Sequence, residues 1–330
     1  MLRVINKMDK AIFNYKPSTV KPSDFDERWA KWLKEVHDVK NHIEVVDEDV
    51  RLDGFGKIIS FYYDSVQNGK IYARLYLRWE PNRPVVAYYH GHMSFIEHPD
   101  NDWHCMNLVA AGFNVVAIDM RFQNGKAIDT TPYRYMEYPS ACFNIDDLET
   151  CYNKVLDQDA LKILDIIKDP TIFKDINGTP LADMPLIVAG PSQGGGLSLM
   201  VSAMSDYDIA LSLSDVPSDC AIKDRIKNRE GKYTVIDDFL HDHPELEEVV
   251  MKNQDYFDVI NMASRIKAKV IASFGTVDET CPPKYFYQAY KQITSEKELY
   301  AYVGFGHGGF EELHLPRKIA FAKKVLKCDY

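Results

Sequence analysis

A serine sits at the centre of Gly190-Pro191-Ser192-Gln193-Gly194, a run that continues as Gly195-Gly196. The apolar stretch Leu186-Ile187-Val188-Ala189 precedes it, and Leu197-Ser198-Leu199-Met200-Val201 follows. Strand, tight turn and helix in that order are what a nucleophile elbow demands. The turn is so sharp that its neighbours cannot carry bulky side chains, hence the flanking glycines. It lifts the hydroxyl above the sheet and aims a helix N-terminus at the charge that develops on an attacked carbonyl. Many Gly-rich strand-to-helix turns do no chemistry. The context makes this serine a candidate nucleophile.

A serine hydroxyl needs a general base, and the base needs an orienting acid. Behind an elbow of this kind they follow in the order Ser, Asp or Glu, His. Asp278 closes Gly275-Thr276-Val277-Asp278 after the apolar run Val270–Phe274, in a loop that ends at Pro282-Pro283. His307 lies in Gly304-Phe305-Gly306-His307-Gly308-Gly309, after Leu299–Val303. Glycines on both sides leave this imidazole free to reach Ser192. Two rivals compete: His314, inside an amphipathic segment, as base, and Asp215, also just past an apolar run, as acid. Asp278 could instead do no more than cap a helix starting near Pro283. The oxyanion hole is expected from two backbone N–H groups. One belongs to Gln193, next after the nucleophile, and the other to His92, in Tyr89-His90-Gly91-His92-Met93-Ser94. A metal reading competes at that loop, because His90, His92, Glu97 and His98 are ligand types. Ligands must converge and be held by further partners, and a loop in this position already has a role without metal. No metal and no cofactor is expected.

These groups need a scaffold to bring them together. Asp24 to Val39 puts Phe25, Trp29, Trp32, Leu33 and Val36 on one helical face, with Ser23 or Asp24 as cap. Lys57–Tyr63 and Lys70–Arg78 read as strands, joined through the hairpin signal Asn68-Gly69. From Pro84 short apolar runs alternate with helical segments: Val85–Tyr89, Val115–Ile118, Leu186–Ala189, Ile209–Leu213, Val270–Phe274 and Leu299–Val303. Continuous runs of this kind belong to strands buried on both faces of a parallel sheet. The expected class is therefore α/β, of the α/β-hydrolase fold: a mostly parallel central sheet covered by helices, with an N-terminal antiparallel hairpin. Phe122 to Cys151 is polar and tyrosine-rich and reads as a long loop with short helices; Asp215 to Met262 reads as largely helical. Such insertions sit above the carboxyl ends of strands, where ligands bind. One domain, 1–330, is expected, with insertions at about 122–151 and 215–262 forming a lid and oligomer contacts.

Bulk properties exclude some function classes. With 330 residues the chain can bury a core without staples. A formal net charge of −10 and no basic run argue against nucleic acid, because phosphate binding needs clustered Lys and Arg. No stretch of 18 apolar residues occurs, so no membrane span is expected. Met1 to Phe13 lacks the continuous apolar centre of a secretion signal. Cys105, Cys142, Cys151, Cys220, Cys281 and Cys328 lack CxxC spacing, which fits free thiols in a reducing, cytoplasmic compartment. Asn177-Gly178-Thr179, a formal glycosylation sequon, then reads as a turn.

The chain resembles the acetyl xylan esterase and cephalosporin C deacetylase family of carbohydrate esterases. The likeness runs from Pro22-Ser23-Asp24-Phe25-Asp26-Glu27 through Asp119-Met120-Arg121-Phe122-Gln123 to Ser192-Gln193-Gly194-Gly195-Gly196. It persists in Asp215-Val216-Pro217, Asp255-Tyr256-Phe257-Asp258 and Asp278-Glu279-Thr280-Cys281-Pro282-Pro283. The resemblance implies a metal-free serine esterase that deacetylates small sugar esters and related compounds through an acyl-enzyme, in a homo-oligomer, often a hexamer. Ser192, Asp278 and His307 match its triad and Gln193 one oxyanion donor; His92 falls where the family has a tyrosine. The family's Arg-Gly-Gln is Arg121-Phe122-Gln123 here, its His-Glu is His307-Gly308, and its elbow has glycine in place of Pro191. Substrate contacts are expected from Arg121, Phe122 and Pro217, with the bulk of Phe122 limiting the acyl group. The alternatives are a non-enzymatic ligand binder on the same fold and a serine hydrolase of other specificity.

Overall fold

A computed structural model describes residues 10–49 and 54–327. The elements run α1 (Lys10–Asn14), α2 (Phe25–Asp38), β1 (Ile43–Asp49), β2 (Gly56–Asp64), β3 (Lys70–Arg78), β4 (Val85–Tyr89), α3 (Pro99–Ala110) and β5 (Asn114–Ile118). They continue α4 (Tyr152–Lys168), β6 (Leu186–Pro191), α5 (Gln193–Met204), β7 (Ile209–Asp215), α6 (Ile222–Lys227), α7 (Thr234–Asp242) and α8 (Glu247–Gln254). The last are β8 (Lys269–Gly275), α9 (Pro283–Gln292), β9 (Lys297–Tyr302) and α10 (Glu311–Leu326).

Each apolar run from Val85 onward is a strand, and together they form one sheet in the order β1-β2-β3-β5-β4-β6-β7-β8-β9. The pairs β5/β4, β4/β6, β6/β7, β7/β8 and β8/β9 are parallel, while β1/β2, β2/β3 and β3/β5 are antiparallel. This is an α/β-hydrolase architecture. The inner parallel strands read as apolar runs because helices cover both faces, whereas edge strand β9 (KELYAY) is half-exposed and ends at Tyr302, before the exposed Val303. One face packs against α2 and α4, burying Trp29, Trp32, Val155 and Ile163. The other packs against α3 and α10, burying Cys105, Leu108 and Phe321. In α2 the buried residues are Phe25, Trp29, Trp32, Leu33 and Val36, the stripe that the helical spacing defines.

Two features differ from the sequence reading. Strand β1 carries IEVVDED, mostly solvent-exposed at the sheet edge, so it shows neither alternation nor an apolar run. The turn before β3 reverses one residue earlier than Asn68-Gly69 suggests. Gln67 and Asn68 take φ of 51° and 57°, whereas Gly69 has an ordinary φ of −67°. Gly69 is needed for space instead, because a Cβ there would run into the Arg121 guanidinium.

The stretch 122–151 is irregular apart from a 3-10 turn at Ser140–Cys142, and 215–262 carries α6, α7 and α8. The turn at Asn177-Gly178-Thr179 is closed by Asp175, whose Oδ1 accepts from Asn177 and Thr179 N–H at 2.9 Å each. Cys105, Cys142, Cys151, Cys220 and Cys281 are buried free thiols; Cys328 and most of Met1–Phe13 lie outside the described residues.

Candidate active site

Strand β6 ends at Pro191 and α5 begins at Gln193, so Ser192 alone makes the turn. Its φ of 56° and ψ of −116° are unfavourable for a residue with a Cβ. Three backbone bonds hold it there: Ser192 N–H donates to Asp215 O (2.8 Å), and Ser218 and Gly196 N–H donate to Ser192 O (3.0 and 2.9 Å). The glycines are required by proximity, since a Cβ on Gly190 or Gly194 would collide with Tyr89 O at the end of β4.

His307 Nε2 lies 2.9 Å from Ser192 Oγ, and His307 Nδ1 lies 2.8 Å from Asp278 Oδ2. The other carboxylate oxygen of Asp278 accepts from Thr280 and Cys281 N–H, at 2.8 Å each. A fully bonded, buried carboxylate fixes the imidazole with Nδ1 protonated and leaves Nε2 free to take the serine proton. The rivals meet each other instead. His314 Nε2 is 3.1 Å from Asp215 Oδ1, its Nδ1 is 2.9 Å from Tyr302 Oη, and Lys318 bonds to Asp215 Oδ2. Lys318 and His314 hold the Asp215 carboxyl far below the usual carboxylate range despite its burial. Both imidazole nitrogens of His314 thus lie against groups other than Ser192.

Among the described residues, the N–H groups of His92 and Gln193 donate to no protein acceptor, so both remain available to an oxyanion. Side chains to which the sequence reading gave other roles or none fix this loop. His90 is fully buried; its Nδ1–H donates to Gly91 O (2.7 Å) and its Nε2 accepts from Met120 N–H (3.0 Å). Burial pushes its pKa down to about 4, so it stays neutral in this tautomer. Gln123 Oε1 accepts from Met93 N–H at 2.7 Å, while its Nε2 donates to Tyr152 Oη and Gln193 Oε1, at 3.1 Å each. His92 Nδ1 is 3.2 Å from the same Gln193 Oε1, and burial together with the Lys232 charge pushes its pKa down to about 4. Gln123 was legible only as one residue of the Arg121-Phe122-Gln123 motif; its reach across three elements was not.

A cavity of about 710 Å³ opens onto Ser192 and His307. One end lies under the inserted helices (Arg225, Lys232, Thr280, Cys281), and the other lies against α3 and α10 (Asp100, Trp103, Glu311, Glu312). The expected substrate contacts are elsewhere. Arg121 is fully buried, with Nη1 2.7 Å from Asp129 and Nη2 2.5 Å from Asp159. A guanidinium without solvent needs such partners, so it ties the Phe122–Cys151 insertion to α4. Phe122, at φ 55°, packs edge-on against Tyr133 and Phe143, at 5.5 and 5.2 Å, away from the cavity. Pro217 is buried against the elbow, its Cα 3.2 Å from where a Gly195 Cβ would stand, while its neighbours Val216 and Ser218 line the cavity. The four metal-type residues also part company. Glu97 pairs with Lys126 (2.7 Å) and Arg74, and His98 caps α3. Among the described residues no three His, Cys, Asp or Glu gather as ligands.

A family model described as acetyl xylan esterase matches residues 5–325. Acetyl esterase Axe7A of Xylanibacter ruminicola is 28% identical over 155 residues, which cover 47% of this chain and 32% of that protein. The aligned part thus spans about a third of the length of this curated relative. Acetyl xylan esterase 1 from Thermoanaerobacterium sp. JW/SL YS485 superposes with a TM-score of 0.80 at 28% identity, covering 94% of this chain and 98% of that one. Acetyl xylan esterase from Paenibacillus sp. R4 gives 0.82 at 27%, with the same coverage of 94% and 98%. Est1E from Butyrivibrio proteoclasticus, with ferulic acid bound, shares the fold at a TM-score of 0.58 and 16% identity, covering 81% and 99%.

Proposed function

The chain belongs to the acetyl xylan esterase family, and from that premise we propose that it hydrolyses acetyl esters of sugars with Ser192 as nucleophile, His307 as base and Asp278 as acid. The observation that carries the reading is the Ser192 Oγ–His307 Nε2 distance of 2.9 Å, with Nδ1 of the same ring 2.8 Å from Asp278. Oγ attacks the acetyl carbon as Nε2 takes its proton, and the carbonyl oxygen becomes an oxyanion that accepts from His92 and Gln193 N–H. The bond to the sugar oxygen breaks as Nε2–H protonates it, leaving acetyl-Ser192. Water then attacks with its proton passing to Nε2, and acetate leaves as Oγ recovers a proton. Each N–H aimed at the oxyanion is worth roughly 10²–10³ in rate. The polar end of the cavity at Asp100, Trp103, Glu311 and Glu312 supports a hydroxylated alcohol part.

A fluorophosphonate probe should label wild type at Ser192, and Ser192→Ala should lose both the label and acetylesterase activity, by roughly 10³-fold or more. A variant that keeps a tenth of the rate overturns the assignment. Three coarser features belong to the same proposal. The single nine-stranded sheet supports one domain with the inserts 122–151 and 215–262 as lid and contact segments. The five buried thiols fit a cytoplasmic setting. Exposed Val45 and Val46 on edge strand β1 fit a homo-oligomer; a monomer on sedimentation at micromolar concentration refutes that part.

A further inference from the structure

The lid end of the cavity carries more positive than negative charge in direct contact. Arg225 on α6 is 2% exposed, its Nε has no hydrogen-bond partner, and among the described residues no carboxylate lies within ion-pair distance of its guanidinium. Its Nη2 donates to Thr280 O at 2.5 Å, and its guanidinium lies 4.5 Å from the Tyr233 ring centre. Lys232 lines the same wall and shares Asp219 at 2.7 Å, while that carboxylate also accepts from Tyr233 Oη at 2.6 Å. Of the other carboxylates nearby, Asp278 is taken by His307 and two backbone N–H groups, and Glu230 lies 3.5 Å from Lys284 with its Oε2 buried and without a hydrogen-bond partner. Gly231, at φ 59°, brings the lid backbone so near Thr280 O that a Cβ would stand 2.6 Å from it. The wall is therefore closely built rather than a loose surface patch. Asp219 favours the Arg225 cation from beyond ion-pair distance while it pairs with Lys232, so two cations share one carboxylate, and both line the cavity that opens on Ser192.

We propose that Lys232 and Arg225 bind a carboxylate carried by the alcohol part of the substrate, so that acetyl esters of acidic sugars, such as acetylated uronosides, are favoured over neutral ones. This rests on the esterase reading above. The acetyl group has no second functional group, so the carboxylate belongs to the sugar. A general attraction for anions is not the source: the chain carries a formal charge of −10, and the opposite end of the cavity carries Asp100, Glu311 and Glu312. Arg225 supplies a fixed planar fork and Lys232 a movable charge that can exchange Asp219 for the ligand.

The test compares a methyl glucuronoside with its methyl ester, differing only in the carboxylate charge. Calorimetry on wild type, with the deacetylated pair at low salt, should give about tenfold tighter binding of the free acid. Lys232→Gln, on a partly accessible side chain, should abolish that difference, Lys232→Arg should keep it, and 0.5 M salt should shrink it. The acetylated pair should show the same tenfold ratio in kcat/KM. Equal or tighter binding of the neutral ester by wild type, or a preference unchanged in Lys232→Gln, overturns the inference. Because the binding measurement needs no hydrolysis, it decides the point even if the esterase reading fails; that failure would show separately as unlabelled Ser192.

Discussion

Two aspartate–histidine pairs stand at the carboxyl ends of neighbouring strands and have opposite surroundings. Asp278 and His307 follow β8 and β9; the carboxylate is buried, but the imidazole is 30% exposed and keeps one nitrogen for Ser192. Asp215 and His314 come from β7 and α10; there the imidazole is 1% exposed, and Lys318 and Tyr302 fill the remaining positions. An acid beside a histidine thus does not make a base. In the first pair the carboxylate's other hydrogen-bond partners are backbone N–H groups, so the ring carries its side-chain bond. In the second a lysine already neutralises the carboxylate, so the group is a structural clamp joining α10 to the floor of the elbow.

Parallel Asp→Asn changes separate the two pairs most directly. Asp278→Asn should lower kcat by about 10⁴-fold, because the amide favours the wrong tautomer of His307, with the midpoint of unfolding little moved. Asp215→Asn should do the reverse. It leaves Lys318 buried without its partner and should cost about 3–5 kcal/mol of stability, while the folded fraction keeps kcat within about tenfold. If Asp215→Asn proves the more damaging to kcat at a temperature where both are folded, the acid belongs to Asp215. The pH dependence sharpens this contrast. The Asp215 carboxyl is held below its ordinary value, so its stabilisation is present above about pH 4 and is lost only as the pH falls further. The difference between wild type and Asp215→Asn should therefore persist from pH 8 to 5 and narrow only in stronger acid.

Buried neutral histidines give a smaller effect in a different window. Burial pushes His90 and His104 down to about 4. Unfolding lets them take up protons near pH 6.5, so stability is full above that value and declines down to about pH 4. The loss is at most about 3 kcal/mol for each residue. Urea denaturation of wild type and His104→Gln at pH 7.5 and 4.5 reads it out against the opposite drift from Asp258, whose carboxyl burial pushes up to about 7; an equal change in both proteins would show that His104 is not held neutral. The smallest effect concerns specificity. Phe122→Gly trades aromatic packing for relief of a positive φ and should cost about 2 kcal/mol or less. The acetyl-to-butyryl ratio in kcat/KM should stay within about twofold of wild type, because the ring packs on Tyr133 and Phe143 rather than lining the cavity. A ratio that collapses would place Phe122 back in the acyl site.

Much of the scaffold was legible because burial writes itself into composition. The inner strands β4, β5 and β6 read as apolar runs since helices cover both faces, whereas edge strand β9 (KELYAY) buries only Leu299 and Tyr302, and α2 shows its stripe because one side meets the core. The exposed strand β1 left no such mark. The turn before β3 carried the right residue types, but Gln67 and Asn68 took the positive φ, while Gly69 is required for the space the Arg121 guanidinium fills.

The sequence by itself determined the elbow and the order of its candidate partners, because the backbone geometry of a strand–turn–helix leaves few residue choices at Gly190, Ser192 and Gly194. It also marked Asp278 and His307 as loop residues just past strands. Only the tertiary structure decided what each polar side chain meets. Arg121 could not be told from a substrate contact until Asp129 and Asp159 closed on it, and Gln123 spans the loop after β4, α4 and α5 through partners 29 to 70 positions away. The physical reason is range. Local propensity is set by neighbours a few residues apart, whereas the energy of a charge or hydrogen-bonding group is set by whatever the fold places within about 3 Å of it.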